Sequence, residues 1–190
     1  MHPIAVTRFN TKTWRENRDW VRQSPFKCGY GSPVRISDTI LPEQNLYVIE
    51  MHNDLNKITG IGVISNTVFT KHKIRIYEDG NYNRYPYVGN VHINDYEFTD
   101  DERNIVTILE EMLFYGKTHM KRGHGIQLIP THIIDQKCLV SALAETLQNR
   151  SNYKQTQERL TNNGITKLWL SKHLNISISK WLDRLFSAYK

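Results

Sequence analysis

Four tyrosines crowd the stretch Tyr77-Glu78-Asp79-Gly80-Asn81-Tyr82-Asn83-Arg84-Tyr85-Pro86-Tyr87, with one arginine and two asparagines between them. Tyrosine faces stack on nucleobases, asparagine amides read base edges and arginine holds phosphate. Tyr82, Arg84, Tyr85 and Tyr87 are therefore candidate nucleic-acid contacts. The competing reading is a tyrosine-rich hairpin whose rings cover the rim of a sheet, since tyrosine is also common in strands. A second cluster, Lys117-Thr118-His119-Met120-Lys121-Arg122-Gly123-His124-Gly125, sets two histidines, two lysines and an arginine in a glycine-containing loop. Amides in such a loop can form an anion nest, so Lys117, His119, Lys121, Arg122 and His124 are candidate phosphate contacts, against the plainer reading of a solvated basic loop. A nuclease or metal role would pair His119 and His124 with a carboxylate such as Asp135. Their spacing fits no standard zinc motif and no third ligand lies nearby in sequence.

Other catalytic templates are missing. The sequence holds no GxxxxGK, GxGxxG or GxSxG. Cys28, beside Gly29, reads as a buried small hydrophobe before it reads as a nucleophile. Glu110-Glu111 reads as the solvated face of a helix before it reads as an acid/base pair. No cofactor or metal is expected.

The chain of 190 residues carries a net charge of +6 with a pI near 9.3. Its length suits one ordinary domain with an appendage and supports a core without disulfides or metal. Positive charge favours polyanions, RNA or DNA among them. No run approaches the ~18 apolar residues of a membrane-spanning helix, so no membrane partner is expected, and the N-terminus lacks the features of a secretory signal. Cys28 and Cys138 have no CxxC spacing and read as two free thiols of a reducing, intracellular compartment.

These residues need elements to position them. A short strand over 3–9 leads to a helix capped by Asn10 or Thr11, which interleaves Trp14, Trp20 and Val21 with Arg15, Arg18 and Arg22 and ends at Ser24-Pro25. Trp14, Arg18 and Trp20 join the candidate nucleic-acid contacts. Residues 29–33 read as a loop and 34–36 as a strand. Strands over 46–51 and 58–64 form a hairpin, and Gly60 and Gly62 in the second suggest a bulge or a close backbone approach. Strands over 72–77 and 85–93 follow, so this part reads as a small barrel or strongly bent sheet. An acidic start at 99–102 opens a helix that Gly116 stops. A helix over 134–147, a polar stretch over 149–163 and an amphipathic C-terminal helical region complete the chain. The expected class is α+β, with residues 1–116 holding a helix and small barrel and residues 117–190 a helical C-terminal region.

Residues 165–186 resemble a helix-turn-helix. Leu170 and Leu174 lie four apart on a first helix, Ser171 is small where helices approach, Asn175 suits the αL turn, and Ser177 caps a second helix bearing Trp181, Leu182 and Leu185. In that geometry Ile178, Ser179, Lys180 and Arg184 face a DNA groove. The alternative is an αα-hairpin that packs on the body, which the bulk of Trp181 favours.

The entry helix with its tryptophans, Ile40-Leu41-Pro42, the strand Tyr47-Val48-Ile49-Glu50 and the Gly-Ile-Gly strand over 58–64 together resemble a PUA-like small barrel of the EVE/ASCH/YTH type, over residues 28–98. That resemblance implies binding of RNA or a modified base in an aromatic-lined pocket, drawing on Trp14, Trp20, Tyr47 or the Tyr82/Tyr85/Tyr87 cluster. The whole chain also resembles proteins of large eukaryotic DNA viruses, which implies a host-cell or virion location. The expected function is nucleic-acid binding. The alternatives are a structural or virion component with protein partners, and a nucleic-acid-processing enzyme using His119 and His124.

Overall fold

The run Ile4-Ala5-Val6 is fully apolar and ends on Phe9, and in the computed structural model it forms strand β1 (Ile4–Phe9), buried along nearly all its length. The structure describes residues 2–115, 119–130, 133, 160–161, 165 and 177–187. The expected helix over 134–147, most of the polar stretch over 149–163, Lys117, Cys138 and the first helix and turn of the helix-turn-helix-like segment lie outside the described residues. The chain divides into two units, one of residues 2–96 and 121–129, the other of residue 1 with 97–120 and 130–190.

In the first unit β1 hands over to helix α1 (Thr11–Gln23) through Asn10, whose side chain accepts from the Thr13 amide while the Thr13 hydroxyl takes the Asn10 amide. That reciprocal pair satisfies two amides that a helix start leaves open. Ser24 closes the helix ahead of Pro25. Strand β3 (Asn45–His52) then lies parallel to β1, and β4 (Lys57–Ser65) returns antiparallel to it. With β6 (Val91–Asn94) and β7 (Gln127–Leu128) they form a five-stranded mixed sheet in the order β6-β4-β3-β1-β7. Strands β2 (Cys28–Ser32) and β5 (Tyr85–Gly89) pair antiparallel as a second, two-stranded sheet. The core between them gathers Phe9, Tyr30, Leu46, Val48, Ile64 and Tyr87.

The molecule is thus α+β, and the described strands form two sheets with no closed barrel. Four expectations need correction. Residues 29–33 are not a loop: 28–32 form β2, whose glycines let the Trp20 ring lie against Gly29 and the Tyr82 backbone against Gly31. Residues 34–36 are not a strand. The run 72–77 keeps its alternation, with Ile74 and Ile76 inward and Lys73 and Arg75 outward, yet no strand pairs with it. There the Asn83 side chain stands in for a neighbouring strand, its Oδ1 accepting from the Ile76 and Tyr77 amides and its Nδ2 donating to the Tyr77 carbonyl. The stretch 85–93 is two strands in two sheets, broken at Asn90.

A charged node sits inside this unit. Glu50 on β3 is 0% exposed. Its Oε1 accepts from Arg18 Nη2 at 2.8 Å and Tyr30 Oη at 2.9 Å, and lies 3.0 Å from His92 Nε2. The pair register shifts just after Glu50, opposing Gly60 to Glu50 and Ile58 to Met51, so Thr59 is the bulged residue and lies 3.5 Å from Glu50 Oε2. The two strand glycines make room for the partners: a Cβ at Gly60 would press on the His92 ring, and one at Gly62 would overlap the Tyr30 hydroxyl. Burial alone would push the Glu50 carboxyl up, but His92 and Arg18 outweigh it and hold it at about 2. Burial and the Glu50 charge push the nearby Cys28 thiol up to about 12, so it stays protonated at neutral pH.

In the second unit, α2 (Asp100–Phe114) starts from Thr99 in a capping box with Glu102. Glu110 and Glu111 are 6% and 4% exposed, which corrects their expected place on a solvated face. Helix α3 (Ile178–Ser187) is capped by Ser177, whose hydroxyl accepts from the Lys180 amide. Its exposed face carries Lys180 and Arg184, whereas Ile178 and Ser179 are buried with Trp181, Leu182 and Leu185. Ile178 and Ser179 therefore do not face a groove: they lie on the apolar stripe that α3 buries. No helix among the described residues is long and apolar enough to cross a membrane.

Two outcomes follow for stability. Because the folded Glu50 carboxyl sits at about 2 against an ordinary 4.5, its contribution is complete above pH 4.5 and fades as pH falls towards 2. Acid titration of unfolding should show a loss on the order of 3 kcal/mol across that window, and Glu50→Gln should flatten it while costing about 3–5 kcal/mol at neutral pH by leaving Arg18 without its carboxylate. Urea melts should also show Gly62→Ala losing about 1–3 kcal/mol through displacement of Tyr30. Gly80→Ala, where the added carbon meets nothing within 4 Å, should change stability by less than about 0.5 kcal/mol.

Candidate functional site

Strand β7 pairs with β1 only at Ala5 and Val6. Beyond it, Thr7, Arg8 and Phe9 run on to the head of α1, and a cleft of about 350 Å3 opens there. Asn10, Lys12 and Thr13 from the start of α1 form one side. Tyr77, Asp79 and Tyr82, with Gly31 of β2, form a second, and Lys121, Gly123 and Gly125 a third. Glu16 of α1 and Asn53, from the turn after β3, complete the lining.

The sequence builds each wall by a local device. Asn83 pins the Tyr77 backbone, and the Tyr77 and Tyr82 rings meet edge to face with centroids 6.2 Å apart. The Tyr77 hydroxyl receives a 3.4 Å hydrogen bond from Asn17 Nδ2, and burial raises its phenol so that it stays neutral. The basic loop is tied down at its start, where Asn53 Nδ2 donates to the Lys121 carbonyl at 3.0 Å and Lys121 Nζ donates to Asn56 Oδ1 at 2.6 Å. It then turns through Gly123 (φ 126°) and Gly125 (φ 63°), conformations that L side chains rarely adopt. A Cβ at Gly125 would strike the Ser32 hydroxyl, so the loop can lie against the end of β2 only with glycine there. His124 Nδ1 comes to 3.5 Å from Tyr82 Oη, at the outer limit of a hydrogen bond.

The electrostatics are mixed. Arg8 donates to Gln127 Oε1 at 2.7 Å, and burial lowers its guanidinium to about 10, so it remains cationic at neutral pH. Lys12 pairs with Glu78, with Glu16 at 3.9 Å on its other side, and Glu78 raises its ammonium. Asn53 Oδ1 is buried with no hydrogen-bond partner among the described residues. The cleft therefore combines aromatic walls and cations with the carboxylates of Glu16 and Asp79.

The structure brings some of the sequence-predicted residues here and sends others elsewhere. Tyr82 and Lys121 line the cleft, His124 reaches Tyr82, and Arg122 is exposed on the same loop. Arg18 is committed to Glu50, its side chain only 15% exposed. Trp14 packs beside the His52 ring, and Trp20 stacks on Phe26 and against Gly29. Tyr87 is buried, its hydroxyl accepting from the Ile36 amide. Tyr85 carries the Arg35 guanidinium 4.9 Å above its ring, and Arg84 is exposed. Tyr47 is buried in β3. His119, Lys180 and Arg184 belong to the second unit. Among the described residues no group of three or more His, Cys, Asp or Glu could hold a metal ion.

Arg8, Asn10, Lys12 and Asn53 were not legible as site residues in the sequence. Asn10 carries a signal, that of a helix cap directly following a strand, but Arg8 is placed by sheet register and Asn53 by the turn that follows β3. No family model, no curated protein and no solved structure matches this chain.

Proposed function

We propose that this chain binds single-stranded nucleic acid, RNA or DNA, and takes one base into the cleft at the head of α1. The observation that carries the reading is convergence: the tyrosine turn and the basic loop, about forty residues apart in sequence, line one concavity with Tyr82 and Lys121 on its walls. A volume of about 350 Å3 lies within the range of small-ligand pockets, roughly 300–1,000 Å3. Tyr82, backed edge to face by the buried Tyr77 ring, offers flat apolar surface for a heterocycle. Asn53 lines the cleft and donates to the Lys121 carbonyl, which holds the basic loop beside the bound base. Arg122 and His124, exposed at the mouth, suit the flanking phosphates.

Fluorescence anisotropy with labelled single-stranded RNA and DNA, repeated over a salt series, tests this. Binding should weaken linearly on a log–log plot as salt rises. Tyr82→Ala should cost about 1–3 kcal/mol, a loss of roughly 5- to 150-fold. Lys121→Ala with Arg122→Ala should weaken all sequences alike and reduce the salt slope by about 0.7 for each phosphate no longer neutralised. Salt-insensitive behaviour with no oligonucleotide bound would remove the reading and leave a protein-interaction component in its place.

A further inference from the structure

The cations nearest the cleft and core are mostly compensated. Lys12 faces Glu78, Arg18 faces Glu50 and Arg22 faces Asp19. A different set is not. Lys71, Lys73, Arg75 and Arg84 are all exposed, and among the described residues none has a carboxylate within ion-pair distance. They belong to one surface. Phe69 donates its amide to the Pro86 carbonyl, and Ile76 and Tyr77 donate theirs to Asn83, so the chain over 69–77 is tied at both ends to β5 and the turn before it.

Between those anchors the chain bends at Lys71 and His72 and then alternates, with Ile74 and Ile76 buried and Lys73 and Arg75 outward. Alternate residues of an extended chain recur every 6–7 Å or so. Lys73 and Arg75 thus stand one such step apart, the order that neighbouring phosphates of an extended strand present, and Lys71 adds an exposed cation at the bend just before them. Arg84, in the turn before β5, adds a further exposed charge, and Arg35 stacked on Tyr85 adds a flat cationic surface. The row ends at the cleft. Arg75 Nη2 donates to the Glu78 carbonyl at 3.0 Å, Glu78 pairs with Lys12, and the neighbouring Tyr77 and Asp79 line the cleft wall.

We propose that the ridge Lys71-Lys73-Arg75, with Arg84, is a backbone track that holds the phosphates of a single-stranded nucleic acid leading away from the base in the cleft. This rests on the cleft reading above and extends it from one nucleotide to a polymer with a direction. The ridge supplies affinity without sequence preference, because it offers charge and no base-reading groups. A cluster of exposed cations on a backbone tied at both ends suits a polyphosphate, which carries a charge at every unit.

The test uses the full chain and two probes, a labelled twelve-nucleotide single strand and a mononucleotide. The variant Lys71→Ala/Lys73→Ala/Arg84→Ala changes only exposed side chains and spares Arg75, whose guanidinium bonds Glu78. It should weaken the long strand at least tenfold at low salt and lower the salt slope by about two, at roughly 0.7 per single-strand phosphate neutralised. Mononucleotide binding should be unchanged. Tyr82→Ala should do the reverse, losing the mononucleotide while keeping the slope for the long strand. If the triple variant keeps the wild-type affinity and slope, the track is wrong even where Tyr82→Ala behaves as expected. If Tyr82→Ala affects neither probe while the triple variant loses the long strand, the cleft reading fails and the ridge stands as a polyanion surface. Equal binding of poly-glutamate or of anionic vesicles, lost in the same variant, would overturn nucleic acid as the ridge's partner.

Discussion

The Glu50 carboxylate is the constraint around which the first unit is arranged. It is buried on a central strand, and it touches α1 through Arg18, β2 through Tyr30 and β6 through His92. Each of these bonds demands something of the sequence. Tyr30 can reach Glu50 only across Gly62, and His92 only across Gly60. The bulge at Thr59 re-sets the pairing immediately beside the carboxylate. A buried ion pair gives little stability against a well-packed apolar substitute, so its clearer consequence is specificity. A slip of β3 by one residue would turn Glu50 to the opposite face of the sheet and strand Arg18 with no carboxylate. The node therefore selects one register and one seat for α1.

Seating α1 determines the cleft. Arg18 and Asn17 fasten the middle of the helix, the latter through Gly29 and Tyr77. The first turn, with Asn10, Lys12 and Thr13, then projects where β1 outruns β7. Tyr77 serves both structures: its hydroxyl faces Asn17 and its ring backs Tyr82. The rigid floor and the loops above it are thus supported by different means. The floor rests on sheet register and the ion node, the tyrosine wall on the Asn83 side chain, and the basic loop on Asn53 and Asn56.

What could be read from the sequence was what local chemistry dictates. The Asn10 cap, the stop at Ser24-Pro25, the hairpin over β3 and β4 and the meaning of its glycines all follow from short-range rules, and the structure agrees with them. The alternation over 72–77 was legible too, but its lack of a strand partner was not, because pairing is a tertiary fact and Asn83 supplies the substitute from seven residues on. The segment Gly29-Tyr30-Gly31 looks like a loop by composition. Its glycines instead serve close packing within a strand, a use that composition cannot separate from a turn. The role of Arg18 was hidden for a similar reason: a helix-borne arginine beside tryptophans looks like a surface group until the strand carrying Glu50 is laid against it. Glu110-Glu111 looks solvated because two adjacent carboxylates favour water, yet α2 buries both.

Compensation of charge, rather than its count, divides the surface. A net charge of +6 says only that cations exceed anions; the ion pairs decide where the excess acts. Lys12, Arg18 and Arg22 each face an acid and contribute little field beyond their partners. Lys71, Lys73 and Arg84 have no carboxylate within ion-pair distance among the described residues, so their charge acts outward from that surface. In the function proposed here, the cleft with its mixed charge and aromatic wall would discriminate by shape and hydrogen bonding, and the exposed cations of the ridge would attract without discriminating. Recognition and affinity would then rest on separate residues, and each could change by mutation without the other.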